Sequence, residues 1–332
     1  MMRQLLKQGM CGALARTGLD RRLGRAVHRH RRAWVVGYHQ VVADDAALET
    51  TMPGMAITAG TFERHLGWMR EHFRMVSLGE AEALLESDAP LKQPLAAITF
   101  DDGYRGVHDV ALPVLRRMGI PASVFVVTDL VGTSRLLLHD RIFLALRKVL
   151  GSRTRAHRTT RELLLGRPRA ELEELAQAFE DQEGPPAVEL ALFQPLTWEM
   201  LSALQAAGFT IGSHTRTHSI LTRSGARPDA EIAGSRQDLE RRLGTPVRHF
   251  AYPDGQFDRV AVSAVAGAGY RFAYTTCAHR DELFPDLTVP RTMLWEQSSI
   301  DSAGRFSPAV MSCQAEGLVE LVAGCRRHHA RA

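Results

Sequence analysis

Leu95-Ala96-Ala97-Ile98-Thr99-Phe100-Asp101-Asp102-Gly103 decides how this chain is read. An apolar run of strand length stops at two carboxylates and a glycine. A second stretch, Phe209-Thr210-Ile211-Gly212-Ser213-His214-Thr215-Arg216-Thr217-His218, has the same design with imidazoles in place of carboxylates. Each reads as a short buried strand that ends by presenting ligand side chains. Histidines four residues apart on a helical turn share one face, so both rings can reach one ion. A carboxylate from the first stretch completes a His, His, Asp set that leaves coordination positions for water and substrate, as catalytic metal sites do. Asp-Asp-Gly alone is a common turn, and His-x-x-x-His alone is commonly two solvated rings. Their joint occurrence after strand-like runs is more specific, because catalytic groups in α/β barrels gather at the C-terminal ends of strands. The chemistry indicated is hydrolysis by activated water.

Working outward, Trp34-Val35-Val36-Gly37-Tyr38-His39 reads as a first strand with His39 at its end. Residues 61–86 carry a helical period with a break at Ser77-Leu78-Gly79, and Val107–Met118 reads as a helix kinked by Pro113 and stopped at Gly119. Ala122–Val127, His249–Tyr252, Phe272–Thr276 and Leu287–Pro290 read as further strands. Residues 135–195 are rich in Arg, Glu and Leu and lack strands, which predicts a helical insertion over the substrate side; Thr197 is placed as the N-cap of the helix that follows. Residues 296–332 show no motif and are expected to form a C-terminal tail.

Thr99-Phe100-Asp101-Asp102-Gly103, the His214–His218 segment and Phe250-Ala251-Tyr252-Pro253-Asp254-Gly255 resemble three ordered motifs of the polysaccharide deacetylase (NodB-homology, carbohydrate esterase 4-like) family. Tyr38-His39-Gln40-Val41 resembles a fourth element found in exopolysaccharide-associated members, and Val289-Pro290-Arg291 resembles the last strand of such domains. The match runs from about Val35 to about Arg291. It implies a distorted (β/α) barrel, placed at residues 35–295, that removes N-acetyl groups from amino sugars of a polysaccharide, oligosaccharide or lipid-linked glycan with a divalent metal.

By the same resemblance Asp101 is the general base, Asp102 joins His214 and His218 as a metal ligand, and the main-chain N–H of Tyr104 serves the oxyanion. Tyr252 and Pro253 are grouped with Tyr104 at the substrate. Zinc suits the mixed nitrogen and oxygen donors. Two departures stand out. Many members carry an Arg where this chain has Ala251, and a catalytic His in the last strand, where this chain reads Val289-Pro290-Arg291-Thr292. Resemblance to the exopolysaccharide-associated type transfers the acid to His39, and an imidazole suits proton donation near neutral pH; His279 is a distant second candidate. Two other readings keep the motifs: a deformylase or other amidase on a lipid-linked amino sugar, and a carbohydrate-binding protein that has lost catalysis.

Composition sets the outer bounds. A chain of 332 residues with 45% hydrophobic content can bury one large α/β core. The four cysteines have no Cys-x-x-Cys spacing, and no Gly-rich nucleotide loop is present. The net charge of +4 is uneven: residues 1–34 hold nine Arg or Lys against Asp20, which leaves the remainder at −4. Leu6, Met10 and Leu14 recur every fourth residue, so this basic leader is expected to form a short amphipathic helix suited to peripheral contact with an anionic membrane. Gly9, Gly12, Arg16 and Gly18 interrupt any signal-peptide core. The expected location is cytoplasmic, at the inner membrane face through residues 1–34. Nucleic-acid binding is not expected, because the basic run lacks interleaved aromatics.

Overall fold

Among the described residues of the computed structural model, eleven strands follow one another: β1 (Ala33–Tyr38), β2 (Gln40–Val42), β3 (Ala56–Thr58), β4 (Arg74–Met75), β5 (Leu95–Phe100), β6 (Ala122–Val126), β7 (Thr210–Ser213), β8 (His249–Ala251), β9 (Phe272–Thr275), β10 (Val289–Pro290) and β11 (Thr292–Met293). The structure describes residues 33–86, 93–183, 190–223 and 225–319, with Cys11, Gly12, Leu14, Thr17 and Leu19. The expected amphipathic helix rests on Leu6, Met10 and Leu14; Leu6 and Met10 lie outside the described residues, as does most of segment 1–34.

The main sheet runs β10-β9-β8-β7-β6-β5-β1-β11, with β4 beside β5, and every pairing is parallel. The two ends of this order are neighbours in sequence. β10 lies on β9 and β11 lies on β1, with Arg291 alone between them, so the chain crosses the seam of a nearly closed eight-stranded barrel at that residue. Gly37 permits the closure: a Cβ there would collide with the Met293 thioether of β11. Parallel strands covered on both faces read as continuous apolar runs, and β5 is buried at all six positions.

Helices cover the outside: α1 (Asp45–Thr50), α2 (Ala59–His72), α3 (Leu78–Glu86), α4 (Leu112–Met118), then α5 (Leu138–Leu150), α6 (Arg153–Gly166), α7 (Arg169–Glu183) and α8 (Leu190–Phe193), followed by α9 (Trp198–Ala206), α10 (Pro228–Leu243), α11 (Arg259–Gly267) and α12 (Pro308–Ala315). The Thr197 hydroxyl accepts from the Met200 N–H, capping α9 as its sequence suggested. Two expectations need local correction. The break in 61–86 falls at Phe73–Ser77, where β4 pairs with β5. Around Pro113 the segment is not one regular α-helix: a π-helix over Val107–Ala111 passes directly into α4, with right-handed helical backbone at both Ala111 and Leu112.

The insertion, α5 to α8, has a core of its own in which Ile142, Phe143, Ala156, Leu172 and Phe193 pack together with Tyr104 and Val127 of the barrel. Arg141 of α5 ties the layer by donating to Glu173 at 2.6 Å and to Glu180 at 2.6 and 2.8 Å. Residues 296–319, read above as the start of a tail, pack against the barrel instead. Glu296 accepts from Thr58 N–H (2.8 Å) and Thr61 Oγ1 (2.6 Å), and Met311 is fully buried in the main core.

Candidate active site

Asp101, His214 and Tyr252 each begin where a strand stops, and all three still donate N–H to the sheet: Asp101 to Tyr38 O (2.9 Å), His214 to Val126 O (2.9 Å) and Tyr252 to Tyr274 O (3.0 Å). The main chain at these positions is therefore fixed by the barrel. His39 directly follows the last residue of β1. All lie at the C-terminal ends of their strands, where barrel enzymes build active sites.

After β5 the chain turns sharply. Asp102 and Gly103 both adopt left-handed backbone, at φ 71° and 74°, a conformation glycine adopts freely and aspartate tolerates. The turn brings Asp102 Oδ1 to 3.5 Å from His214 Nε2 and 3.2 Å from His218 Nε2. One donor atom from each of Asp102, His214 and His218 falls within 4.8 Å of the others, the sole such cluster among the described residues.

The helical turn expected for the two histidines is not formed. Thr215 and His218 have φ of 68° and 62°, and Glu231 of α10 takes the place of helix carbonyls by accepting from Arg216 N (2.9 Å), Thr217 N (2.9 Å) and Thr217 Oγ1 (2.7 Å). The rings converge through a loop, their centroids 5.0 Å apart.

These residues fit a metal. Both carboxylate oxygens of Asp102 are buried without a hydrogen-bond partner, a costly arrangement for an ionised group unless a cation meets it. Burial by itself would raise the Asp102 carboxyl, yet His218, His39 and His214 around it hold it far below the usual range. His214 Nδ1 donates to the Ala251 carbonyl at 2.8 Å, which leaves Nε2 with its lone pair toward Asp102, the tautomer a ligand needs. Desolvation lowers His214 to about 4, so it stays neutral and able to ligate. His218 keeps 19% of its side chain exposed, and the cluster is open on that side.

Asp101 is paired differently. Arg291 donates from Nη1 to Oδ1 and from Nη2 to Oδ2, both at 2.7 Å, and its side chain is fully buried over Phe125 and Tyr274. Burial would raise the Asp101 carboxyl, but the Arg291 guanidinium outweighs it and holds the group below the usual carboxylate range. Ala251 lies in the same apolar cluster as Phe125 and Tyr274, the two rings over which the Arg291 guanidinium sits. Nothing local to Val289-Pro290-Arg291 signals this pairing, because the partner lies 190 residues away.

Other expected residues are placed as follows. His39 is half-buried and close enough to both aspartates to lower them. Tyr104 is buried, with its hydroxyl donating to Asp140 Oδ2 (2.7 Å) and 3.1 Å from His139 Nε2, two residues of α5 that sequence reading missed. The Tyr252 ring is wholly buried between Phe250 and Phe257, and its hydroxyl donates to Leu287 O at 3.0 Å. Pro253 is buried in the turn after it. His279 stacks on Phe257 at 6.2 Å.

A barrel with an Asp-Asp turn facing a two-histidine loop at its C-terminal end defines a deacetylase-type hydrolase scaffold, and comparison places the chain. The polysaccharide deacetylase family model matches residues 88–273, more than half of the chain, and the chain belongs to that family. It is similar to YxkH of Bacillus subtilis (strain 168), itself provisionally assigned as a polysaccharide deacetylase, at 23% identity over 228 residues. That match covers 67% of this chain but only 60% of YxkH. Among solved structures, the deacetylase PplD of Streptococcus pyogenes, in complex with acetate, superposes with a TM-score of 0.57 at 17% identity over 85% of this chain and 96% of that one. IcaB of Ammonifex degensii gives 0.56 at 21% identity over 86% and 97%. Both share the fold. No helix among the described residues is long and apolar enough to cross a membrane.

Proposed function

We propose that the protein is a divalent-metal-dependent N-deacetylase acting on amino sugars of a glycan, with zinc as the metal. The observation that carries this reading is the division between adjacent carboxylates: Asp102 sits bare between two imidazoles, while Asp101 beside it is held by Arg291. Asp102, His214 and His218 would hold the ion, which supplies polarisation of the acetyl carbonyl and of the attacking water.

The protein's own groups do the rest. Asp101 takes a proton from the water as its oxygen bonds to the carbonyl carbon. Arg291 uses one lone pair on each Asp101 oxygen, so a carboxylate still has sites to accept that proton. The main-chain N–H of Tyr104 donates to the oxygen that gains charge. His39, beside both aspartates, donates a proton to the nitrogen as the C–N bond breaks, releasing acetate and a free amine.

Arg291 also bears on the reading as an impaired binder. That alternative drew on Ala251 and on the absence of a histidine in the last strand, and a guanidinium against Asp101 supports a working base instead. Purified protein should release acetate from N-acetylated amino-sugar oligomers, lose that activity on chelation and regain it with zinc. Formate release from a formamido sugar, with none of acetate, would favour the deformylase reading. Saccharide binding without release of either acid would favour the binder. A lipid-linked substrate and contact of residues 1–34 with the inner membrane face remain parts of this proposal, supported by the basic leader.

A further inference from the structure

The helical insertion reaches the site at both of its ends, and at both it grips the same residue. At its start, α5 presents Leu138-His139-Asp140. Asp140 is buried to 1% exposure and accepts the Tyr104 hydroxyl at 2.7 Å, while His139 Nε2 lies 3.1 Å from the same hydroxyl. The His139 ring stands against the His218 ring with centroids 5.4 Å apart, so this contact lies at the wall of the metal cluster. At the insertion's end, the chain leaving α8 runs antiparallel to the turn after Asp102. Arg105 N–H donates to Gln194 O and Leu196 N–H donates to Gly103 O, each at 2.8 Å.

Tyr104 faces Pro195 across that bridge. In an antiparallel pair, the residue between two such bonds turns its own N–H to the opposite side. The Tyr104 N–H is therefore aimed away from the insertion, and its direction is set by the bonds of Gly103 and Arg105. The side chain is pinned separately by Asp140 and His139. A single peptide is thus held from its backbone on one side and from its hydroxyl on the other, by a segment that is not part of the barrel.

We propose that His139 and Asp140 are positioning residues through which the insertion sets the Tyr104 main-chain N–H as oxyanion donor. The proposal rests on the deacetylase reading above. Neither residue touches the reacting atoms in this scheme; they act through the Tyr104 ring and the peptide attached to it. Donor placement matters because a displacement near 1 Å costs roughly 100-fold in rate.

Steady-state kinetics on an N-acetylated oligomer, with metal content and melting temperature measured on each protein, test it. Asp140→Ala and Tyr104→Phe should each lower kcat roughly 10- to 100-fold while leaving KM and metal content near wild type. The double variant should lose no more than the worse single one, since both remove the same contact. Asp140→Asn should recover most of kcat, because its amide oxygen still accepts from Tyr104; this variant and Tyr104→Phe carry the test if Asp140→Ala does not fold. Wild-type turnover with kcat unchanged in Tyr104→Phe and Asp140→Asn alike would overturn the clamp alone. Additive losses, or a rise in KM only, would also overturn it and make this wall a sugar subsite. A wild-type protein without amide hydrolysis would instead remove the deacetylase reading and the clamp with it.

Discussion

The barrel loops and the helical insertion build one site by different means. The residues after β5 and β7 are placed by sheet register and by left-handed backbone at Asp102, Gly103, Thr215 and His218. His139 and Asp140 are placed by the packing of α5 on its neighbours, in a core of Ile142, Phe143 and Phe193 that also takes in Tyr104. The first kind of placement is the one proposed to carry the chemistry, and it leaves a compact motif in the sequence. The second is the one proposed to carry alignment, and it leaves none, because any helix that packs correctly can deliver the contact. Changes in the loops should therefore cost metal or chemistry outright, and changes in the insertion should cost rate by degrees.

The largest expected effect comes from the ligands. His214→Ala or His218→Ala should lose bound metal and nearly all acetate release while keeping the far-ultraviolet dichroism of the wild type. Full metal occupancy in His218→Ala would break the assignment of that loop.

Next in size is His39→Ala, which should retain metal and lower amide turnover by about 10²–10⁴-fold, the usual weight of acid–base catalysis. Hydrolysis of an activated phenyl acetate, whose leaving group needs no proton, should be spared. Equal losses on both substrates would make His39 a positioning or core residue.

Arg291→Met should act on the base and on stability together. With the guanidinium gone, burial is opposed only by the more distant His214 and His39 and Asp101 titrates higher, so the acid limb of the kcat profile should move to higher pH. A buried carboxylate left unpaired destabilises by about 3–5 kcal/mol, and adding Asp101→Asn should restore much of the melting temperature while leaving turnover absent. An unshifted acid limb would mean that Asp101 is not the group titrating there.

A smaller effect tests the opposite end of the strands. Glu82 of α3 lies 3.1 Å from His249 Nε2, at the start of β8, and burial raises its carboxyl to about 7. The folded protein thus holds this proton where the unfolded chain releases it. The Glu82 contribution is full below about pH 4.5 and fades as pH rises through 7. His249, lowered by burial to about 4, slopes the other way between pH 6.5 and 4. Denaturant titrations of Glu82→Gln should show a flatter decline in stability between pH 6.5 and 7.5 than wild type, with kcat unaffected. An identical slope would leave Glu82 without this role.

Much of the barrel was legible because parallel strands buried on both faces are unbroken apolar runs, and β5, β6 and β7 could be read directly. The cluster of Asp102, His214 and His218 was legible for a related reason: a strand that stops at a chemically loaded turn is conspicuous. The loop geometry was not. Spacing alone suggested a helical turn for His214 and His218, and the competing acceptor, Glu231, lies in another helix. The Arg291–Asp101 pair spans the barrel seam, so neither residue's local pattern points to the other. Residues 296–319 gave no motif because their role is packing, through Glu296 on Thr58 and Thr61 and Met311 in the core.

The central claim is that two adjacent aspartates divide the work, one as ligand and one as base. Metal stoichiometry and acetate release measured side by side for Asp101→Asn and Asp102→Asn test it most directly. Asp101→Asn should keep the metal content of the wild type and lose nearly all turnover, whereas Asp102→Asn should lose the metal itself. Equal metal content in the two variants would contradict the account.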